Sequence, residues 1–286
     1  MYSSLNAIKQ HFRTELFDKY SERESDLLFY RLLESFFGYR KTDIILTPNL
    51  ALDVNQIDEI NQALKQLVAG VPVQYIDNTA FFMEDAFYVD SSVLIPRPET
   101  EELVRLILKV HDHEAIKVLD VGTGSGIIAI GLSKQRPVWS VLACDISNEA
   151  LVVARRNGRE ILNQSEVAFY KEDILQPQTD YTNGLDIIVS NPPYVLESDK
   201  KEMQLQVLDH EPHLALFVTD ESALIFYEAI VNYAQDNLKL GGYLYFEVHE
   251  DYANEVKALL ATRSYDKIIT HEDLQGKPRI VCGRKG

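Results

Sequence analysis

The stretch LDIIVSNPPYVLES holds the residues with the most defined chemistry in the chain. Its apolar run, residues 185–190, reads as a buried strand that ends in Asn191-Pro192-Pro193-Tyr194. Two consecutive prolines fix φ and remove two N–H donors, leaving carbonyls that can only accept, while the Asn191 carboxamide both donates and accepts. This set matches a planar amide or amine. Its N–H groups can donate to the Asn191 side-chain oxygen and the Pro192 carbonyl, and the Tyr194 ring can cover its apolar edge. An amide nitrogen is a poor nucleophile because its lone pair is conjugated. Orientation, and hydrogen bonds that accept developing positive charge, must therefore supply the rate. Taken alone, the four residues would read as a Pro-Pro turn ending a strand.

A second feature lies upstream. In KVLDVGTGSGIIAIGLS an apolar strand runs into Gly122, Thr123, Gly124, Ser125 and Gly126, and a helix follows directly. Glycines allow a tight turn and close approach of a ligand, and the helix start offers N–H groups to a polar or anionic one. The spacing is GxGxG, with Ile127 where a dinucleotide fingerprint has its third glycine, which argues against a pyrophosphate. Asp145 ends the next strand, about twenty residues on, where a carboxylate can accept from both hydroxyls of a ribose. Asp173, just past the third strand, can hold the exocyclic amine of an adenine, and Ile174 can face the ring. Together these form an adenosine-binding edge. Singly, a strand-end Asp is often a helix cap, and Ser147 and Asn148 follow Asp145.

The elements that must position these residues follow from the patterning. After Pro96 the chain alternates strand and helix. Strands read as 117–121, 138–144, 166–171, 185–190, 242–248, 265–271 and 279–283, and helices as 99–110, 126–135, 148–160, 222–237 and 252–261. This is an α/β fold with a mostly parallel seven-stranded sheet covered by helices on both faces. Ahead of it, apolar residues recur at helical spacing in three runs, the last led by Asn55 as N-cap and stopped by Gly70 with Val71-Pro72. Residues 1–72 therefore read as a small helical domain and 96–286 as the larger one. Residues 73–95 read as a hairpin-like connector with turn formers at Asp77-Asn78 and Glu84-Asp85. In it Phe81, Phe82, Phe87 and Tyr88 alternate as a strand's residues do.

Composition narrows the function classes. The 286 residues are 46% hydrophobic and 25% charged, at globular averages. With 28 Lys or Arg against 44 Asp or Glu the net charge is −16, so neither DNA nor an anionic membrane is an expected partner. The first 90 residues carry eight basic against fourteen acidic groups and offer no basic groove. Cys144 and Cys282 lie far apart in apolar runs, which fits a reducing, cytoplasmic setting without disulfides. No stretch approaches the roughly eighteen apolar residues of a membrane span, and the N-terminus lacks a leader's apolar run. His111, Asp112 and His113, and later His210, Glu211 and His213, are spaced too closely for a tetrahedral site, so no metal is expected. Glu22, Glu24 and Asp26 read as a solvated helix face.

Asp120 to Gly126, Asp145, Asn191 to Tyr194 and the segment LIPRPETE, residues 94–101, together resemble the peptide chain release factor glutamine-N(5) methyltransferases, the PrmC/HemK family. The resemblance extends over VPVQYI, Glu211-Pro212 with Leu214-Ala215-Leu216, and DLQGKPRIV. IPRPETE is the discriminating segment, since other amino-methyltransferases share NPPY. The resemblance implies a class I, Rossmann-like methyltransferase domain with S-adenosyl-L-methionine as methyl donor. Gly122, Thr123, Gly124, Ser125, Gly126, Asp145, Asp173, Ile174 and Asn191 would hold the cofactor. Asn191, Pro192, Pro193 and Tyr194 would bind substrate and catalyse. The implied substrate is the glutamine of the GGQ motif in bacterial class 1 release factors, gripped by the helical domain; the sequence does not give the oligomeric state, and a monomer is the working expectation. Arg97 and Glu99 would order a lid or form a structural ion pair. The alternatives are a ribosomal-protein glutamine methyltransferase and, against the charge, an adenine-N(6) DNA methyltransferase. A non-catalytic adaptor would have shown an altered Asn191. Three segments depart from the family pattern: 218–222 lacks its glycine-rich turn, Glu247-Val248-His249 continues a strand that usually ends at glycine, and Asp77-Asn78 replaces a glycine while still able to turn left-handed.

Overall fold

The structure is a computed structural model that describes residues 4–47, 50–111, 115–181, 184–201, 203, 205–273 and 275–286. The chain forms two compact units, Met1–Thr79 with Gln204–His210, and Ala80–Met203 with Glu211–Gly286. The division thus falls inside the 73–95 connector read from the sequence.

In the first unit, α1 (Leu5–Leu16), α2 (Glu22–Phe37), α3 (Lys41–Leu46), α4 (Val54–Val68) and the single turn α5 (Val73–Ile76) follow one another. The apolar stripes of α1, α2 and α4 meet in one core of Ile8, Phe12, Phe29, Leu32, Ile60 and Leu64, with Phe12 and Phe29 edge to face at 5.1 Å. Both α2 and α4 begin with capping boxes, Ser21 with Glu24 and Asp53 with Gln56. Asp53, not Asn55, is the N-cap of α4, because its carboxylate accepts the Gln56 N–H at 2.9 Å. The acidic face of α2 is also more than solvated. Asp26 receives two N–H bonds from Arg13 at 2.7 Å, which hold its carboxyl below the usual range. Pro72 starts α5, so Val73–Ile76 is helical where the connector was read as strand. The left-handed turn expected at Asn78 is present, at φ 51°.

The hairpin β1 (Thr79–Phe82) and β2 (Asp85–Tyr88), which belongs to the second unit from Ala80 on, buries Phe82 and Phe87 and exposes Phe81. Then come α6 (Pro98–Val110), β3 (Lys117–Val121), α7 (Ile127–Gln135), β4 (Ser140–Asp145), α8 (Asn148–Ile161), β5 (Val167–Lys171) and β6 (Leu185–Ser190). The two-residue strands β7 (Val195–Leu196) and β8 (Phe217–Val218) pair in parallel. Between them lie α9 (Leu205–His210), which belongs to the first unit, and α10 (His213–Leu216). The chain closes with α11 (Ile225–Asn237), β9 (Leu238–Glu247), α12 (Ala253–Thr262), β10 (Tyr265–Glu272) and β11 (Pro278–Lys285).

Seven strands form one sheet in the order β10-β11-β9-β6-β3-β4-β5, with β11 antiparallel to both its neighbours. Successive residues face opposite sides. Leu119, Ile188 and Leu244 pack with Tyr227, Ile230 and Val256 on one face. Val118, Ile187 and Val189 pack with Leu103, Ile107 and Ile130 on the other. The expected strands are all present. β9 starts four residues earlier than read, and a short 3-10 turn, Asp220–Ser222, precedes α11.

The sequence reading passed over Asn157, which is fully buried in α8. Its amide nitrogen donates to the carbonyls of Tyr88 at 3.0 Å and Ser125 at 2.9 Å, and its oxygen accepts the Tyr88 N–H at 2.8 Å. One side chain thereby ties the hairpin to the glycine loop. Asn157→Leu leaves three polar groups unpaired. We expect a stability loss of about 2–4 kcal/mol, since each such group costs roughly 1–3 kcal/mol and water relieves part of it. A fall in the denaturant midpoint at unchanged slope would confirm it.

Candidate active site

The site is built by strand register. Among the parallel strands, Val121 pairs with Cys144 and with Ser190, Ser190 pairs with Phe246, and Asp145 pairs with Lys171. The residues that follow each strand therefore emerge along one edge. Strand order reverses between β3 and β6, the crossover point where open α/β sheets bind ligands.

A cavity of about 430 Å³ opens there, within the roughly 300–1,000 Å³ of small-molecule sites. Its walls include Gly122, Thr123, Gly124, Ser125, Asp145, Asp173, Ile174, Asn191, Pro192 and Pro193. Two residues of the expected set lie elsewhere. Gly126 is the left-handed N-cap of α7, and a Cβ on it would lie 2.8 Å from Ile130 Cδ1 and 3.3 Å from Ala154 Cβ, so it serves helix packing. Tyr194 packs against the core, its ring 5.9 Å from that of His249, and burial pushes its phenol pKa up.

The glycine loop corrects another expectation. Its amides are mostly consumed within the protein: Gly122 and Thr123 N–H donate to the Cys144 carbonyl at 2.9 and 3.0 Å, Gly124 N–H to Asp145 Oδ2 at 2.9 Å, and Gly126 N–H to the Thr123 carbonyl at 2.8 Å. The loop therefore does not present the row of free donors that a phosphate needs. It offers close approach instead. Gly122 and Gly124 sit at φ 72° and 55°, and a Cβ on either would meet nothing within 4 Å, so the space before them is open to a ligand.

Asp145 stands at the mouth of this loop. Its other oxygen accepts the Ser147 N–H at 2.9 Å, while Ser147, not Asp145, caps α8. Burial raises its pKa, and backbone N–H bonds from Ser147, Gly124 and Ile146 oppose that rise. Asp173 accepts the Leu175 N–H at 2.9 Å, which shapes the turn carrying Ile174. An edge with few free N–H donors, an open glycine pair and a carboxylate fit an adenosyl group and a sulfonium better than a phosphate.

Asn191 is half-buried, and its amide nitrogen donates to Thr100 Oγ1 at 3.3 Å. Thr100 Oγ1 in turn donates to Glu247 Oε2 at 2.7 Å, and both residues are buried. Burial pushes the Glu247 carboxyl up to about 7, opposed by its bonds from Thr100 and Asn191. The segment before α6 is held by Glu211, which accepts from Arg97 at 2.6 Å and from the Ile95 N–H at 3.2 Å. Arg97 thus forms the structural ion pair, with Glu211 as its partner. Among the described residues no three His, Cys, Asp or Glu side chains are grouped to hold a metal. Asp112 and His113 lie outside those residues. Sequence reasoning missed Thr100 and Glu247 as site residues, although Thr100 lies inside IPRPETE and Glu247 was visible as a departure from the family pattern.

Residues 9–76 match the PrmC N-terminal domain family, and residues 100–217 match the methyltransferase small domain family. The release factor glutamine methyltransferase of Flavobacterium psychrophilum is 42% identical over 266 residues, covering 92% of each chain. That of Bacteroides thetaiotaomicron is 39% identical over 281 residues, covering 98% of this chain and all of its own. This chain belongs to the release factor glutamine methyltransferase family. Its fold is that of the S-adenosylmethionine-dependent methyltransferases. The hMettl16 catalytic domain superposes with a TM-score of 0.55 at 15% identity, covering 69% of this chain and 74% of that one. Among the described residues no helix is long and apolar enough to cross a membrane.

Glu211 is 2% exposed and holds both a backbone N–H and a guanidinium. In Glu211→Ala the segment around residues 94–98 is expected to lose amide-exchange protection while the sheet keeps its own. Hydrogen-exchange mass spectrometry reads both regions in one experiment.

Proposed function

We propose that this enzyme transfers the methyl group of S-adenosyl-L-methionine to the side-chain amide nitrogen of the glutamine in the GGQ motif of bacterial class 1 release factors. One observation carries the residue assignment: Asn191 and Pro192 share a cavity wall with Gly122, Gly124 and Asp145 at the sheet's crossover point. When bound, the cofactor supplies a methyl group on a positively charged sulfur. Asp145 accepts from the ribose hydroxyls, and Ile174 and the Asp173 turn take the adenine. Gly122 and Gly124 allow the approach.

On the substrate side, Asn191 Oδ1 and the Pro192 carbonyl would accept the two amide N–H groups and hold the nitrogen toward the cofactor edge. The cofactor would supply the methyl group to that nitrogen and keep the sulfur electron pair, and the amide would give up one proton to water. Acceptors already in place stabilise the charge that grows on nitrogen without reorganising. Pro193 fixes the turn, and Tyr194 supports it from the core side. The first unit, which matches the PrmC N-terminal domain, exposes Phe17, Leu27 and Leu46 and would receive the rest of the release factor. We place the reaction in the cytoplasm, with a monomer acting on protein and without DNA, in keeping with the net charge of −16.

Incubation with a bacterial release factor and S-adenosyl-L-methionine should add one methyl group to the GGQ glutamine by peptide mass spectrometry, and Asn191→Ala should slow that gain about 100- to 1,000-fold, the scale of losing one positioned polar partner of the reacting group. Absence of the methyl group despite cofactor binding would overturn the reading. Asp145→Ala should weaken cofactor binding about 10- to 100-fold in calorimetry, as expected for the loss of a charge-assisted hydrogen-bond acceptor.

A further inference from the structure

We infer that Thr100 and Glu247 are positioning residues for Asn191, a buried hydroxyl and carboxylate that engage the N–H side of its carboxamide and so turn its oxygen toward the reacting nitrogen. The inference rests on the proposed role of Asn191 as the acceptor of the substrate amide.

Register brings the three together. Ser190 pairs with Phe246, so Asn191, just past β6, and Glu247, the last residue of β9, lie side by side at the end of the sheet. Pro98 opens α6 and sets Thr100 in its first turn, 1% exposed, between them. Asn191 Nδ2 lies 3.3 Å from Thr100 Oγ1 and Thr100 Oγ1 2.7 Å from Glu247 Oε2, and Glu247 also accepts directly from Asn191, so hydroxyl and carboxylate both draw on the N–H side of the amide.

The chemistry of this cluster has one direction. A carboxamide has nearly the same shape after a half-turn, so packing alone selects its orientation poorly. In the reversed orientation Asn191 would aim N–H groups at the substrate's own N–H groups. An ionised carboxylate can only accept, so the Thr100 hydroxyl hydrogen points at Glu247. The Thr100 oxygen is then left to accept, and Asn191 must turn its nitrogen toward it. Its oxygen takes the opposite branch, where a substrate N–H can reach it.

Protonation undoes this. A neutral Glu247 can donate to Thr100, which frees the hydroxyl to reverse and removes the preference at Asn191. Glu247 faces Glu99 from α6, Arg279 from β11, Tyr194 beyond β6 and Tyr227 from α11. Arg279 is itself paired with Asp273 at 3.1 Å. With the carboxyl pushed up to about 7, the competent, ionised form is lost as pH falls through that value.

The test uses the full-length enzyme and release factor in single-turnover methylation, with cofactor affinity and melting temperature measured for each variant. Thr100→Val should slow methylation about 30- to 100-fold, the scale of a small misplacement of a reacting group, with cofactor affinity unchanged. Thr100→Ser should recover most of that loss. In an Asn191→Ala background, Thr100→Val should add less than about 3-fold, because residues that act through one another are not additive. The wild-type rate should fall on the acid side of neutrality, and Glu247→Gln should be slower and flat between about pH 6 and 8.

A Thr100→Val enzyme within about 3-fold of wild type, a fully additive double variant, or an acid limb that survives in Glu247→Gln would each overturn the inference. If Thr100→Val fails to fold, Thr100→Ser and the Glu247→Gln pH profile decide it in the same way. An Asn191→Ala enzyme as active as wild type would instead show that the amide-site reading has failed, and the inference with it.

Discussion

The structure depends above all on the parallel register between β3 and β6. Val121 lies opposite Ser190, and the Ser190 hydroxyl closes the pair by donating to the Val121 carbonyl at 2.7 Å. Both strands are buried on both faces, so a slip of one residue would exchange Ile187 and Ile188 between the two cores. The same slip would carry Asn191 away from the glycine loop. Core packing thus enforces the alignment of cofactor edge and amide site, and it does so far from the chemistry.

Once register is set, the polar edge is completed by long-range side-chain bonds rather than by further secondary structure. Asn157 links the hairpin to Ser125, Glu211 holds Ile95 and Arg97, and Thr100 joins Glu247 to Asn191. These are buried polar groups with partners, the condition under which burial is tolerated. The cost remains visible in the carboxyls. Asp120, buried in β3 under the loop with its Thr123 bond at 2.6 Å, is also pushed up to about 7. Two acids brought into the neutral range near one cavity reflect low water access, the same condition that strengthens the hydrogen bonds available to a substrate amide.

The glycine loop shows how one motif supports different ligands. Its turn is that of a nucleotide-binding strand–loop–helix, yet Cys144, Asp145 and Thr123 take up the amides of Gly122, Thr123, Gly124 and Gly126. What is left is shape: left-handed backbone at Gly122 and Gly124 with open space before it. The missing third glycine of the dinucleotide pattern was the sequence's hint of this, and the donor pattern gives the reason.

Much of this protein is determined by the sequence alone, because the signals are local. Strand and helix periods, the left-handed turn at Asn78, the glycine loop and the Pro-Pro turn depend on residues within a few positions of each other, and they predicted the seven strands of the central sheet and the helices between them, but not the short elements between β6 and α11. Local signals misled where a cap decided the outcome, as at Pro72 and Asp53. Tertiary structure decided the rest. It moved Tyr194 from the cavity to the core, gave Gly126 to helix packing, and chose Glu211 as the partner of Arg97. It also joined Thr100 to Glu247 across 147 positions and to Asn191 across 91. No local pattern encodes such pairs, because they exist only when β6 and β9 share a register and α6 begins above them.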